Sequence, residues 1–238
     1  LLLSKKRPDF RAVIMSATIE KAKYVNYFKG VKSNVIEITG QTNFPIEVKY
    51  LDNPVPSYVK TGIDIIKVIT DRKERDDVLF FVTSGHEARQ ICKEINSDKV
   101  FCIEVYADMN PDLIVYAKEI DAFKDLGQYT RKVVIATNMA ESSLTIKGLS
   151  VVIDSCYELF SYFDPSVYGK VLEKKLVTKS QAIQRRGRVG RTAPGVCFHL
   201  VTEKQFNELA DYPEPDIIKN DVTVILLQLI NMTGSYDN

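Results

Sequence analysis

Residues 78–82 (VLFFV), 132–136 (KVVIA) and 151–153 (VVI) are apolar almost without interruption. A strand with one wet face alternates polar and apolar residues. A strand that is apolar at every position is covered on both faces, as in a parallel sheet between two layers of helices. Between these runs the period changes. In 58–70, Val59, Ile63, Ile66 and Ile69 recur at helical spacing, and 87–95, 113–123 and 179–186 read as further helices. Strand patterns return at 46–51, 100–106 and 196–200. Such alternation predicts an α/β fold, a parallel sheet flanked by helices with right-handed crossovers. Ahead of it, 11–15 (RAVIM) and 35–38 read as short strands around a helix at 21–28 that Gly30 stops. The polar stretch 40–45 reads as a hinge. Beyond Pro213 and Pro215, 221–230 reads as an amphipathic helix of another domain.

The 238 residues are 45% hydrophobic, enough for a substantial core. Formal net charge is +1, so any nucleic-acid role must come from a local patch. Cys92, Cys102, Cys156 and Cys197 form no CxxC pair, and His86 and His199 are the only imidazoles, which argues against a zinc site. Scattered, unpaired cysteines fit a reducing compartment, cytoplasmic or nuclear. No apolar run reaches membrane-spanning length and no signal-peptide pattern opens the chain. Both ends read as cut, which predicts a piece of a longer protein.

Four arginines fall within 185–191, in the string QRRGRVGR at 184–191. Glycine lets backbone approach a ligand, and arginine offers a planar fork that fits phosphate in two-point contact. The string therefore reads either as a polyphosphate grip or as a solvated basic loop or localisation tag. Two more strings follow strands: Ser16, Ala17 and Thr18 after 11–15, and ATNMAESSLTI at 136–146, rich in helix-capping residues.

In this order the strings resemble the superfamily 2 helicases, in particular the DEAH/RHA group of RNA helicases. PDFRAVIMSATIE resembles that group's motif III region, GQTNFPIEVKYL its linker into the second RecA-like domain, and DDVLFFVTSGHEA its motif IV. KVVIATNMAESSLTI is similar to motif V and QRRGRVGRTAPGVCF to motif VI, while YPEPDIIKNDVTVILLQL resembles the entry to a winged-helix domain. ESSLTI and QRRGRVGR, with the short segment between Asp154 and Gln184, also resemble the poxviral phosphohydrolase-helicases, which points to a viral source.

The resemblance implies a remnant of a first RecA-like domain in 1–40, a second RecA-like domain in 41–210, and the start of a winged-helix domain in 211–238. It implies ATP with magnesium as cofactor, the metal held mainly by the first RecA-like domain. Arg188 and Arg191 would be arginine fingers, with Gln184 placing the attacking water. On a helix these three share one face (i, i+4, i+7) and could converge on one ligand. Gly187 and Ser143 would lie near the nucleotide, and Phe123 would stack on adenine, a core phenylalanine being the alternative. Thr83, Ser84, Gly85, Thr137 and Asn138 would contact the backbone of single-stranded RNA, DNA remaining open, although Thr83 reads equally as a helix cap. Ser16, Ala17 and Thr18 would couple the domains. The implied protein is a monomer without membrane contact, whose partners are the nucleic acid and its own first RecA-like domain.

There are departures. Lys147 stands where the group often has a ribose-binding Asp, Cys156 where a glycine is usual, and the hairpin after motif V reads as shortened. The chain carries neither a GxxxxGK[ST] loop nor a DEAH box. An ATP-driven RNA helicase, inactive as this piece alone, therefore stands beside a non-enzymatic module that binds RNA or a protein. A kinase-type reading fails for want of a matching loop.

Overall fold

The computed structural model describes residues 6–7, 9–16, 19–38, 44–72, 76–142 and 144–233. In chain order the elements are α1 (Lys21–Tyr27), β1 (Ile46–Leu51), α2 (Tyr58–Thr70), β2 (Asp77–Phe81), α3 (Gly85–Ile95), β3 (Val100–Val105), α4 (Ile114–Lys118), β4 (Arg131–Ala136), α5 (Met139–Ser142), β5 (Leu149–Asp154), β6 (Tyr157–Asp164), β7 (Gly169–Leu176), α6 (Lys179–Arg186), β8 (Gly195–Thr202), α7 (Glu203–Asn207), α8 (Asp216–Lys219) and α9 (Thr223–Thr233). Six strands form one sheet in the order β1-β8-β5-β2-β4-β3, every pair parallel. The expected α/β sheet flanked by helices is present.

Its central strands are almost wholly buried and largely apolar because both faces are covered. Val78 and Phe80 face one core with Ile63, Ile66 and Ile69 of α2 and Ala88 and Ile91 of α3. Leu79 and Phe81 face the other, with Ala117, Ala140, Val152 and Val189. Gly62 in α2 is required by this packing, since a Cβ there would lie 2.3 Å from the Phe80 ring.

Several expectations are corrected. Residues 11–15 and 35–38 form no strand, and their side chains are largely exposed. No strand among the described residues lies beside them to complete a ladder. The helix expected over 113–123 is broken into a 3₁₀ turn at Pro111–Leu113, α4, and a second 3₁₀ turn at Ala122–Leu126. Lys132, fully buried, donates to the carbonyls of Ala117 and Glu119 at 2.8 and 2.7 Å, acceptors that a continuing helix would need. Between Asp154 and Lys179 the residue pattern marked no strand and only the resemblance implied a hairpin, read as shortened; β6 and β7 form it, antiparallel, with eight residues per strand. The C-terminal helix runs over Thr223–Thr233 and is capped by Asp221, whose Oδ1 accepts from the Thr223 amide at 2.9 Å.

Cys92 and Cys102 are joined in a disulfide, contrary to the expectation of unpaired thiols, because α3 packs against β3 and brings their Cα atoms to 5.4 Å. Cys156 and Cys197 are free and buried. A denatured polypeptide of these 238 residues should titrate with two thiols without reductant, and with four after reduction. Reduction should lower stability by about 2–3 kcal/mol, the loop-closure entropy of so short a ring. Among the described residues, no helix is long and apolar enough to cross a membrane.

Candidate nucleotide and nucleic-acid interface

Helix α6 starts firmly. Thr178 and Gln181 form a capping box, with the Gln181 Oε1 accepting from the Thr178 amide at 2.9 Å. It stops at Arg186, where Gly187 caps it. The Arg188 and Val189 amides fold back onto the carbonyls of Arg185 and Arg186. Gly190 then turns with φ +73, and a Cβ there would meet Ile46 Cγ1 at 2.7 Å and the Phe44 carbonyl at 2.9 Å. Arg188 and Arg191 therefore sit in a turn beside the entry to β1. The shared helical face expected for Gln184, Arg188 and Arg191 is corrected, since only Gln184 is helical. Gly187 is a helix cap at ordinary negative φ, and an added Cβ would only touch the Gln184 and Ile183 carbonyls at 3.4 Å.

Arg188 is half-buried. Its Nη1 donates to the Leu144 carbonyl at 3.2 Å and its Nη2 to the Glu141 carbonyl, which docks it on the motif V segment. Its Nε is buried and has no hydrogen-bond partner among the described residues. Burial, and then the neighbouring charge of Arg191, lower its pKa, against the pull of Glu141. Arg191 is exposed, its Nε donating to the Gly187 carbonyl at 3.0 Å. Two cations thus crowd one turn, and an anion would relieve both the repulsion and the unmet donor.

Arg185, which sequence reasoning set aside, is the most buried of the four. Its Nε meets Glu141 at 3.1 Å, its Nη1 meets Asp154 at 2.8 Å, and its guanidinium lies 5.1 Å from the Phe81 ring centre. The other Asp154 oxygen lies 3.1 Å from His199 Nδ1. Burial alone would raise the Asp154 pKa, but the Arg185 charge and His199 outweigh it and hold the carboxyl far below its usual range. For Glu141 burial prevails and the pKa is raised. Asp154, Cys156 and His199 offer metal-ligand atoms within 4.8 Å of one another, a grouping that their sequence spacing did not announce. Cys156 has φ 59, the left-handed region that a glycine adopts without strain, which fits the glycine that the resemblance implies at this position.

The other expected contacts lie at the carboxyl ends of neighbouring strands, Thr83, Ser84 and Gly85 after β2 and Thr137 and Asn138 after β4. Ser84 is the helix cap, its Oγ accepting from the Glu87 amide at 3.2 Å. Thr83 is only 7% exposed and gives both its amide and its hydroxyl to Glu87 Oε2, at 3.0 and 2.8 Å. Gly85 packs on the Tyr106 ring, where a Cβ would fall at 3.0 Å. The Thr137 amide bonds to the Val105 carbonyl, and Asn138 is exposed. Phe123 is 0% exposed and stacks on Phe101 at 5.5 Å. Of its two readings, this geometry fits the core phenylalanine, and no ring face is left for adenine. Lys147 pairs with Glu119 at 2.9 Å on the surface. Ser16 is exposed, while Ala17, Thr18 and Ser143 lie outside the described residues.

The family model described as the helicase conserved C-terminal domain matches residues 61–193, more than half of the 238. A protein of Acanthamoeba polyphaga mimivirus carrying the name of an ATP-dependent RNA helicase is 53% identical over 235 residues, covering 98% of this chain and 34% of that protein. Human DHX35, named in the same way, is 28% identical over 246 residues, 95% of this chain and 34% of its own. The crystal structure of the Escherichia coli DEAH/RHA helicase HrpB superposes with a TM-score of 0.79 at 28% identity, over 98% of this chain and 29% of that one. The chain thus spans about a third of the length of the relatives it matches. The matched residues run from α2 through Arg188 and Arg191, and the parallel sheet that carries them has the same form in HrpB. This chain belongs to the helicase conserved C-terminal domain family.

Proposed function

We propose that this domain is the second RecA-like half of an ATP-dependent RNA helicase that acts as a monomer. In this reading Arg188 and Arg191 face a triphosphate seated on a first RecA-like half, of which 1–40 is a part; 41–210 is the second half and 211–238 opens a winged-helix domain. The observation that carries it is the Arg188 guanidinium, which among the described residues has carbonyls but no carboxylate as partners, a buried Nε left unmet, and a second cation beside it. Guanidinium groups so placed stabilise charge that develops on a transferring phosphoryl group. Gln184 orients the attacking water. The nearby carboxylate of Glu141 is committed to Arg185, so this half supplies cations and magnesium belongs to the other. Ser16, Ala17 and Thr18 relay the nucleotide state between the halves, and Gly187 and Ser143 border the nucleotide.

The strand-end edge is the nucleic-acid face. Asn138, Thr137, Ser84 and the first amides of α3 offer donors to phosphates, and backbone contacts carry little sequence information. Thr83, its donors spent on Glu87, serves by shaping this loop. The double variant Thr137→Ala, Asn138→Ala in the full-length protein should weaken binding of a fluorescent oligouridine about five- to thirtyfold, at roughly 1–2 kcal/mol for lost hydrogen bonds to charged phosphate. Anisotropy titrations against RNA and DNA oligomers also settle which strand is preferred. Unchanged affinity in the double variant would move the nucleic acid off this edge. RNA binding without any RNA-stimulated ATP turnover in the wild type would favour the non-enzymatic module instead.

A further inference from the structure

One carboxylate joins the strand-end edge to the β6–β7 hairpin. Glu87 accepts from the Thr83 amide and hydroxyl, from the Tyr58 hydroxyl at 2.7 and 2.6 Å to its two oxygens, and from Lys174 Nζ at 2.8 Å. Lys174 Nζ also donates to the Tyr58 hydroxyl at 3.1 Å and lies 4.8 Å from that ring's centre. The Tyr58 ring stacks on Tyr157, the first residue of β6, at 5.4 Å. Lys174 is opposite Leu159 in the hairpin, so the contact grips both strands beyond their base. The donors outweigh burial and keep Glu87 ionised, with its pKa lowered. Burial and the Glu87 contact push the Tyr58 hydroxyl up to about 12, so its proton stays in place as a donor.

We infer that Lys174 and Tyr58 are positioning residues for RNA-stimulated turnover: through Glu87 they fix the hairpin against the loop at 83–85, so that a single strand meets both as one surface. This rests on the reading of that edge as the nucleic-acid face. The partners of the two side chains are Thr83, Glu87, Tyr157 and each other, none of them in the arginine turn, so turnover without RNA should not depend on them. Coupling through such a network is typically worth a few-fold to thirtyfold in the coupled affinity.

The test is ATP turnover of the full-length protein against oligouridine concentration. In Lys174→Met and Tyr58→Phe the RNA needed for half-maximal stimulation should rise about three- to thirtyfold, with RNA-free turnover within about twofold of wild type. Lys174→Arg, which keeps the cation, should recover most of the loss, a rescue that a merely packed lysine would not require. Unchanged half-saturation in both variants overturns the inference. So does a parallel fall of RNA-free turnover and melting temperature, which would make the contact a general brace. A wild type that RNA does not stimulate overturns instead the functional reading beneath it, and this inference with it.

Discussion

In the full-length protein, Arg188→Ala and Arg191→Ala should each lower ATP turnover by about a thousandfold or more, the scale on which arginine fingers act in phosphoryl transfer. RNA affinity should stay within about threefold in Arg191→Ala, which bonds within its own turn, and should fall somewhat further in Arg188→Ala, whose carbonyl partners lie on the same segment as Thr137 and Asn138. Steady-state turnover at saturating ATP, read beside an anisotropy titration, separates the two quantities. The variants differ in what else they disturb. Arg188 is pinned to the carbonyls of Glu141 and Leu144, so its loss also frees the motif V segment. Arg191 is exposed, so its variant should melt close to the wild-type temperature. A thousandfold loss in Arg191→Ala at unchanged stability is therefore the cleaner result. Arg188→Lys should rescue little, since an ammonium cannot keep two carbonyls and still present a fork to phosphate. Wild-type turnover in both alanine variants would sink the finger assignment.

What the sequence announced and what it withheld follow from the range of the forces involved. The strands at 78–82, 132–136 and 151–153 were legible because burial on both faces leaves its mark on every residue of the run. The end of α6 was also legible and was overrun. Gly187 is a stop signal, but the period of Gln184, Arg188 and Arg191 was extended through it. The hairpin at 157–176 was legible only through the resemblance, because its half-exposed strands mix charged and aromatic residues without clean alternation. Nor could residue type tell Arg185 from Arg188. One is wholly buried because Asp154 and Glu141 arrive from β5 and α5, and those arrivals are tertiary. The Cys92–Cys102 pairing is hidden in the same way, being set by how α3 lies on β3. Thr83 shows the reverse case. Its type suits a phosphate contact, yet the glutamate four residues on already holds both of its donors.

Removing the Asp154 carboxylate should be the most destabilising single change in the described core. Asp154 is 0% exposed and balances Arg185, whose other acid, Glu141, has its pKa raised by burial. Asp154→Ala leaves a buried guanidinium with an unmet charge, a loss of about 3–5 kcal/mol for a broken buried pair. Asp154→Asn keeps the volume and still loses the charge, so urea denaturation should rank it with the alanine variant. Acid supplies an independent check. The folded pKa of Asp154 lies below its ordinary value near 4, so its contribution is complete above that value. As pH falls below about 4 the unfolded chain takes up the proton first, and stability drains until the depressed folded value is passed. Glu141 acts with the opposite sign, because its raised pKa makes the folded state bind a proton sooner, which offsets part of the loss. The wild-type midpoint should therefore fall on acidification from about pH 5 downward, and that limb should be shallower in Asp154→Asn. Equal stability of Asp154→Asn and wild type at neutral pH, with parallel acid limbs, would mean that Arg185 is held by Glu141 and the carbonyl of Tyr157 alone.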